Sequence, residues 1–291
     1  METSDLLKKV RKIEIKTRGL SNQIFSGEYH SAFKGRGMSF SEVRDYAYGD
    51  DVRNIDWNVT ARFNQPFVKV FEEERELTAI LMIDVSKSAY FGSTELHKNE
   101  FITELSAVLS FSAINNNDKV GVIFFSDKIE LFIPPKKGKS HILRIIRELI
   151  EIKPTNSKTD LNLALKYLTS VLKKRAIVFF MSDFMDLGYS HSLNIASRKH
   201  DIVGLKINDP RDSELPDMGI TQIMDSESDK MLTIDTSSKK VREQYQQNYL
   251  ESDSYFERAF AKSGTDKIRI PTNESYIKHL MRFFKKRGTK R

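Results

Sequence analysis

Three oxygen-bearing side chains stand at alternate positions in Asp84-Val85-Ser86-Lys87-Ser88, the pattern D-x-S-x-S. A loop leaving the end of a strand can turn alternate side chains toward one point. Two further stretches carry groups of the same kind, a hydroxyl in Lys158-Thr159-Asp160 and a carboxylate in Ser182-Asp183. Asp84, Ser86, Ser88, Thr159 and Asp183 together offer two carboxylates and three hydroxyls. A hard, all-oxygen set of this kind suits Mg²⁺ or Mn²⁺ and disfavours zinc or copper. Mg²⁺ also keeps positions open for water or for a partner's oxygen. Each fragment alone has a plainer use: Asp84 and Ser86 can cap the helix that follows, Thr159 can be an N-cap, and Asp183 can cap its own loop. The order of the pieces, one after each of several regular elements, is what points to an ion.

Those elements can be read from the apolar pattern. Residues 77–84 (LTAILMID) form a short, nearly continuous apolar run, the mark of a strand buried on both faces. A helix follows with Phe101, Leu105, Val108 and Leu109 on one face, then a second buried strand over 120–125. Ser126-Asp127 reads as a tight turn into a short strand, 128–133, that returns antiparallel. Helices are predicted over 142–150, 161–172 and 192–200, and strands over 176–181 and 202–207. Strands alternating with helices imply an α/β fold: a mostly parallel, open, Rossmann-type sheet with helices on both faces. In such sheets ligands bind beyond the carboxyl ends of the strands, where the strand order reverses. After Pro210 the rhythm changes to a hairpin (219–224 with 230–234) and a long helix over 238–262 carrying Val241, Tyr245, Tyr249, Phe256 and Phe260. A last strand over 267–270 and a final helix reaching Lys286, which Thr272 can cap, complete the chain. The organisation expected is an N-terminal extension (1–76), an α/β domain (77–210) and a C-terminal cap of hairpin plus helices with a basic tail (211–291).

Composition bounds what such a site can serve. The chain has 291 residues, 39% hydrophobic and 30% charged, enough for one large or two small domains with a full core. Cysteine is absent, which excludes disulfides, thiolate zinc sites, Fe–S clusters and a cysteine nucleophile. The opening residues hold no apolar h-region, and the longest apolar runs, 77–83 and 176–181, are too short to span a bilayer, so a cytoplasmic protein is expected. The formal charge is +7, and seven basic residues with no acid lie between 278 and 291. Residues 1–277 are therefore formally neutral, which disfavours a nucleic-acid binder that works through its body.

Upstream of the first buried strand, Arg36, Arg44, Arg53, Arg62 and Arg75 interleave with Glu42, Asp45, Asp50, Asp51, Asp56 and the acids at 72–74. Spacing this dense permits bidentate Arg–carboxylate pairs. The plain expectation is that they pin a loop-rich segment to the sheet with Trp57 as the apolar anchor; the alternative is a recognition surface for a partner.

The series Asp84, Ser86, Ser88, Thr159, Asp183 resembles the metal-ion-dependent adhesion site of von Willebrand factor type A domains, as does the strand–helix order with a short antiparallel strand third. The text 33–37 (FKGRG), 41–46 (SEVRDY), 49–57 (GDDVRNIDW) and 60–62 (TAR) is similar to the signature of the bacterial "domain of unknown function 58" family. Its members accompany MoxR-type AAA+ ATPases. The resemblance implies a von Willebrand A-like, metal-dependent protein-interaction module rather than an enzyme. Asp84, Ser86 and Ser88 would contact the ion directly, Thr159 and Asp183 directly or through water, and an open position would accept a partner's carboxylate. The implied partners are a MoxR-type ATPase and its client. Many relatives carry N-terminal membrane helices, which this sequence lacks.

Rival chemistry finds less support. Gly138-Lys139-Ser140 lies between a strand and a helix, but Ile133, followed by Pro134-Pro135, stands where a phosphate-binding loop needs its first glycine. Gly35-Arg36-Gly37 lacks the rest of a dinucleotide fingerprint, and His30, His97, His141, His191, His200 and His279 show no ligand spacing. A Mg²⁺-dependent phosphoryl-transfer or hydrolytic enzyme using Asp84 is the alternative, but nothing supplies its general acid. A site kept only as scaffold is the other. The tail places Ile277, Leu280, Met281 and Phe284 on one stripe beneath its cations. That stripe is expected to pack on the domain, with contact to a membrane surface or an acidic ATPase face as the alternative.

Overall fold

The computed structural model describes residues 10–14, 39–72, 77–93, 97–152, 158–224 and 231–289. The sequence motif at 33–37, Arg75 and the hairpin turn at 225–229 lie outside the described residues. The chain divides into two compact units, Lys34–Glu76 and the remainder.

In the smaller unit, β1 (Ser39–Asp45) pairs antiparallel with β2 (Phe67–Glu72), the register shifting between Phe40 and Glu42. Between them lie a 3₁₀ turn, Val52–Asn54, and a two-turn helix, α1 (Trp57–Phe63). Asn64 ends α1 in the left-handed region (φ 58°), its N–H bonded to Thr60 O.

The larger unit is built on a six-stranded sheet. Its strands are β3 (Thr78–Asp84), β4 (Lys119–Phe125), β5 (Ile129–Lys136), β6 (Ile177–Ser182), β7 (Asp201–Asn208) and, beyond a hairpin of β8 (Ile220–Met224) and β9 (Met231–Asp235), β10 (Asp266–Pro271). Across the sheet the order is β10-β7-β6-β3-β4-β5, with every pair parallel except β4–β5. The expected fold class, an open and mostly parallel α/β sheet whose third strand is antiparallel, is what the chain forms. The strand expected near 267–270 joins the sheet as its sixth member, beside β7.

Alternation along β3 shows why the sheet needs helices on both faces. Ala79, Leu81 and Ile83 enter one apolar cluster, whereas Ile80 and Met82 enter the other. The first cluster is closed by α2 (Lys98–Asn115), α3 (Lys139–Glu151) and, from the C-terminal end, Tyr276, Leu280 and Phe284. The second is closed by α4 (Leu161–Val171), α5 (Ser190–Lys199) and, beyond the short α6 (Pro210–Ser213), α7 (Lys239–Ser263). Phe256 and Phe260 of α7 are fully buried, and Gly204 on β7 makes room for them: a Cβ there would lie 2.3 Å from the Phe260 ring.

The final helix, α8 (Tyr276–Thr289), packs through Tyr276, Leu280 and Phe284, with Ile277 and Phe283 partly buried beside them. Met281, expected on that stripe, is exposed; a period of 3.6 residues carries the buried line from 280 to 284 and on to Arg287. Arg287 is itself structural, paired with Asp201 and with Asp266 at 2.7 Å, at the starts of β7 and β10.

Candidate metal centre

β3 and β6 are adjacent and parallel, yet their onward connections run to opposite sides of the sheet, β3 toward β4 and β6 toward β7. This is the point where the strand order reverses, and there the carboxyl ends leave a crevice. Asp84 is the last residue of β3 and Asp183 follows the last residue of β6, so the sheet delivers both carboxylates to that crevice. Asp84 is 2% exposed. Its Oδ1 accepts the Ser86 N–H at 3.0 Å, and its Oδ2 accepts the Ser182 hydroxyl at 2.7 Å. Ser182 Oγ accepts in turn from Phe184 N at 3.0 Å. The Ser86 and Ser88 hydroxyls lie 3.0 Å apart. Ser86 stands at the N-cap position of the 3₁₀ turn Lys87–Tyr90 but makes no side-chain cap bond, so its hydroxyl is turned to Ser88 instead.

The electrostatics follow from burial. The Asp84 carboxyl is pushed up to about 6 by burial and by the charge of Asp183, against the pull of the Ser182 and Ser86 hydrogen bonds. A second feature was not anticipated. Lys98, the first residue of α2, is 3% exposed and places its ammonium 3.5 Å from Asp183 Oδ2 and 2.8 Å from Asp212 Oδ2. Burial alone would lower this ammonium, but Asp183 and Asp212 outweigh it and hold Lys98 above the ordinary lysine range. Burial raises Asp212, as does the charge of Asp183, with Lys98 opposing. Around the group is a void of about 10 Å³, bounded by Asp84, Ser88, Lys98, Ser182, Asp183 and Ile207 and about the room one water-sized particle needs.

The five residues expected to form the site are not gathered equally. Asp84, Ser86, Ser88 and Asp183 share one corner. Thr159 is half-buried at the same end of the sheet, outside the hydrogen-bonded group. Its loop is fastened there by Asp160 N donating to Ser126 O (3.0 Å), just past β4, and by Leu161 N donating to Asp186 Oδ2 (2.9 Å), just past Asp183. Thr159 is not the N-cap of α4, one use its position allowed. Asp160 takes that role, accepting from Leu163 N at 2.8 Å, and leaves the threonine hydroxyl uncommitted to the helix.

Do these residues fit a divalent cation? Among the described residues no three Asp, Glu, His or Cys side chains converge on one point. The candidate set is instead two carboxylates with hydroxyls, the kind of donor group Mg²⁺ and Mn²⁺ accept while keeping water. One ammonium, Lys98, is shared between Asp183 and Asp212, so the three acids of the crevice outnumber its lysine and a cation beside Asp84 and Asp183 would offset the excess. The residues fit. The larger cleft, about 710 Å³, lies where β7 and β10 begin and includes Arg175, His200, Arg282 and Arg287. It contains none of the oxygen ligands.

Lys98, Ser182 and Asp212 were the residues missed by reading strand ends alone. Lys98 stands in helical phase with Phe101, Ile102 and Leu105, so a charge on an apolar stripe was the available signal. Asp209-Pro210-Arg211-Asp212, directly after β7, spells a capping box: Asp209 Oδ1 accepts from Arg211 N, and Asp212 Oδ2 accepts from Asp209 N.

The upstream signature has a local explanation. Arg44 grips Asp50 with two bonds, 2.7 and 2.8 Å, while Asp50 also accepts from Ala47 N. Asp51 caps the 3₁₀ turn through Arg53 N and pairs with the Arg53 side chain at 2.8 Å. Asp56 caps α1 through Asn58 N and Val59 N, with Lys69 3.6 Å away. Arg62 lies exposed in the last turn of α1. Among the described residues Trp57 is no apolar anchor: at the first position of α1 it is 69% exposed, because Asp56 sets the start of a helix whose opening side chain points outward.

Fold and site thus define a class: a doubly wound α/β protein with a crevice of carboxylates and hydroxyls around one buried lysine at its switch point. Residues 42–255 match the family described as "Protein of unknown function DUF58", and the chain belongs to that family. It is similar to the protein Rv1480 of Mycobacterium tuberculosis, with 28% identity over 222 residues, 75% of this chain and 70% of the relative. Among solved structures it is similar to the conserved hypothetical protein BatB of Bacteroides thetaiotaomicron, with 15% identity, a TM-score of 0.47 and coverage of 73% of this chain and 99% of that one. It is also similar to the SpRpn10 VWA domain, with 10% identity, a TM-score of 0.38 and coverage of 71% and 94%. Among the described residues no helix is long and apolar enough to cross a membrane.

Proposed function

We propose that this protein is a cytoplasmic, von Willebrand A-like interaction module that holds Mg²⁺ or Mn²⁺ and uses it to bind a partner's carboxylate. Asp84, Ser86 and Ser88 would hold the ion, with Thr159 and Asp183 joining directly or through water. The observation that carries the reading is the placement of Asp84 and Asp183 at the switch point, close enough that the second raises the first. The bound ion would act as a Lewis acid toward an incoming carboxylate oxygen, so the recognised feature is an exposed Asp or Glu of a protein. The partners proposed, a MoxR-type AAA+ ATPase and its client, are those that the sequence resemblance implies. A membrane-peripheral or ATPase-docking role for the remaining tail cations is a lesser part of the same reading, since Arg287 is already spent on Asp201 and Asp266.

The test is thermal unfolding of the purified protein in EDTA and in millimolar Mg²⁺ or Mn²⁺, beside Asp84→Ala. Ion at a hundredfold above its Kd stabilises by about 2.7 kcal/mol, and the variant should lose that gain. Identical curves in EDTA and Mg²⁺ would leave a scaffold without an ion. A pull-down with the wild type and Asp84→Ala, each with and without Mg²⁺, tests the partner. A raised carboxyl beside a buried ammonium also suits phosphoryl transfer. Turnover of a generic phosphate ester that required Asp84 would replace the interaction reading with the enzymatic one.

A further inference from the structure

The crevice already contains a cation of its own. Lys98 reaches both Asp183 (3.5 Å) and, with two contacts, Asp212 (2.8 and 2.9 Å). Its ammonium is the direct counter-charge to these two acids, while the neighbouring buried ammonium, Lys206, is engaged 3.0 Å away by Asp253 on α7. Asp212 is no loose surface acid. Its Oδ2 accepts the Asp209 N–H at 2.7 Å, and Asp209 in turn accepts Ser93 N at 2.8 Å and the Ser93 hydroxyl. Asp212 is therefore a fixed seat for the ammonium, apart from Asp183.

We propose that Lys98 is a resident counter-ion that competes with the divalent cation for Asp183, with Asp212 as the alternative seat, and that this competition sets the ion affinity of the crevice. The proposal rests on the metal reading given above. Two positive charges cannot share Asp183 in a poorly hydrated crevice without strong repulsion. A divalent ion drawn to Asp84 and Asp183 therefore breaks the looser 3.5 Å contact with Asp183 and confines the ammonium to Asp212, to which it already lies closer. A lysine is suited to this exchange, because its ammonium is a point charge on a flexible four-carbon stem. A guanidinium would be held in a fixed fork.

Lys98 and Asp212 give variants with opposite expected effects. Lys98→Met removes the competitor and should tighten Mn²⁺ binding about tenfold or more. Asp212→Asn weakens the alternative seat, leaves the ammonium to Asp183 and should loosen Mn²⁺ binding by a comparable factor. Lys98→Met/Asp212→Asn keeps the local charge balance and should bind Mn²⁺ more tightly than Asp212→Asn alone; it carries the comparison where Lys98→Met by itself fails to fold. Mn²⁺ affinity is read by electron paramagnetic resonance of free Mn²⁺ at fixed pH, with circular dichroism confirming folded protein. Opposite shifts in the two single variants, or the tighter double variant, support the competition. A wild type that binds Mn²⁺ with the same affinity as every variant, or variants that all weaken binding together, overturns the competition and leaves the metal reading standing. A wild type that binds no Mn²⁺ overturns both.

Discussion

In the Lys34–Glu76 unit Arg53 grips Asp51 two residues away and Arg44 grips Asp50 six residues away, on surfaces open to water. In the sheet unit Lys98 reaches Asp183 across 85 residues and Asp212 across 114, and Ser182 reaches Asp84 across 98, all in buried surroundings. The residue types are nearly the same. In the first unit carboxylates cap turns and hold neighbouring arginines, which shapes a short chain segment. In the second, charges are brought together by elements that lie far apart in sequence, and the cost of dehydrating them is offset by one another and by the N–H and hydroxyl donors around them. The first kind of charge shapes a local turn, whereas the second kind exists only because the sheet has closed around it.

The sharpest way to break this contrast is to remove one partner from each unit. Lys98→Met leaves Asp183 and Asp212 buried without their cation, and stability measured by urea unfolding without metal should fall by about 3–5 kcal/mol. A loss no larger than that of an exposed pair would abolish the distinction.

His200 probes burial from another side. It is 1% exposed, and burial together with Lys199 and Arg175 pushes its imidazole down to about 4. The folded state then holds it neutral while the unfolded chain takes up a proton below about 6.5, so its contribution is present above that pH and is lost as pH falls toward 4. Over that window wild type should lose up to roughly 3 kcal/mol relative to His200→Leu. Parallel stability profiles for the two proteins would show that the site is hydrated.

Gly204→Ala tests how closely α7 sits on the sheet. The added Cβ would meet Phe260 at 2.3 Å, and overpacking of this kind costs about 1–3 kcal/mol. A variant with the wild-type unfolding midpoint would mean that α7 can lift from β7 without penalty. The smallest effect belongs to the other unit. Arg53→Ala removes an exposed pair with Asp51 and should leave the unfolding midpoint within error, while Asp84→Ala in the same assay removes the gain from Mg²⁺. A large loss from Arg53→Ala would show that the signature is more than a set of local caps.

Much was legible before any coordinates because it depends on neighbours in the chain. The continuous apolar run before Asp84 announced a strand buried on both faces, and the alternation of strands and helices announced the sheet. The D-x-S-x-S spacing brought Asp84, Ser86 and Ser88 together within five residues, and the structure keeps them there. Trp57 was misjudged because hydrophobicity says that a side chain favours burial, not that its helix will point it inward. The plainer use open to Thr159, capping α4, fell to its neighbour because two adjacent residues could serve, and only the backbone path chose Asp160.

Chain neighbours alone settle the elements, their period and the carboxylates and hydroxyls at the ends of β3 and β6. Only the tertiary structure decided that β3 and β6 are neighbours, that β10 joins their sheet, and that Lys98 and Asp212 enter the same crevice. The reason is physical: local pattern fixes φ and ψ and the apolar face. The charge a buried carboxylate meets depends on which distant segment packs over it. That is a property of the closed core, and no window of the sequence contains it.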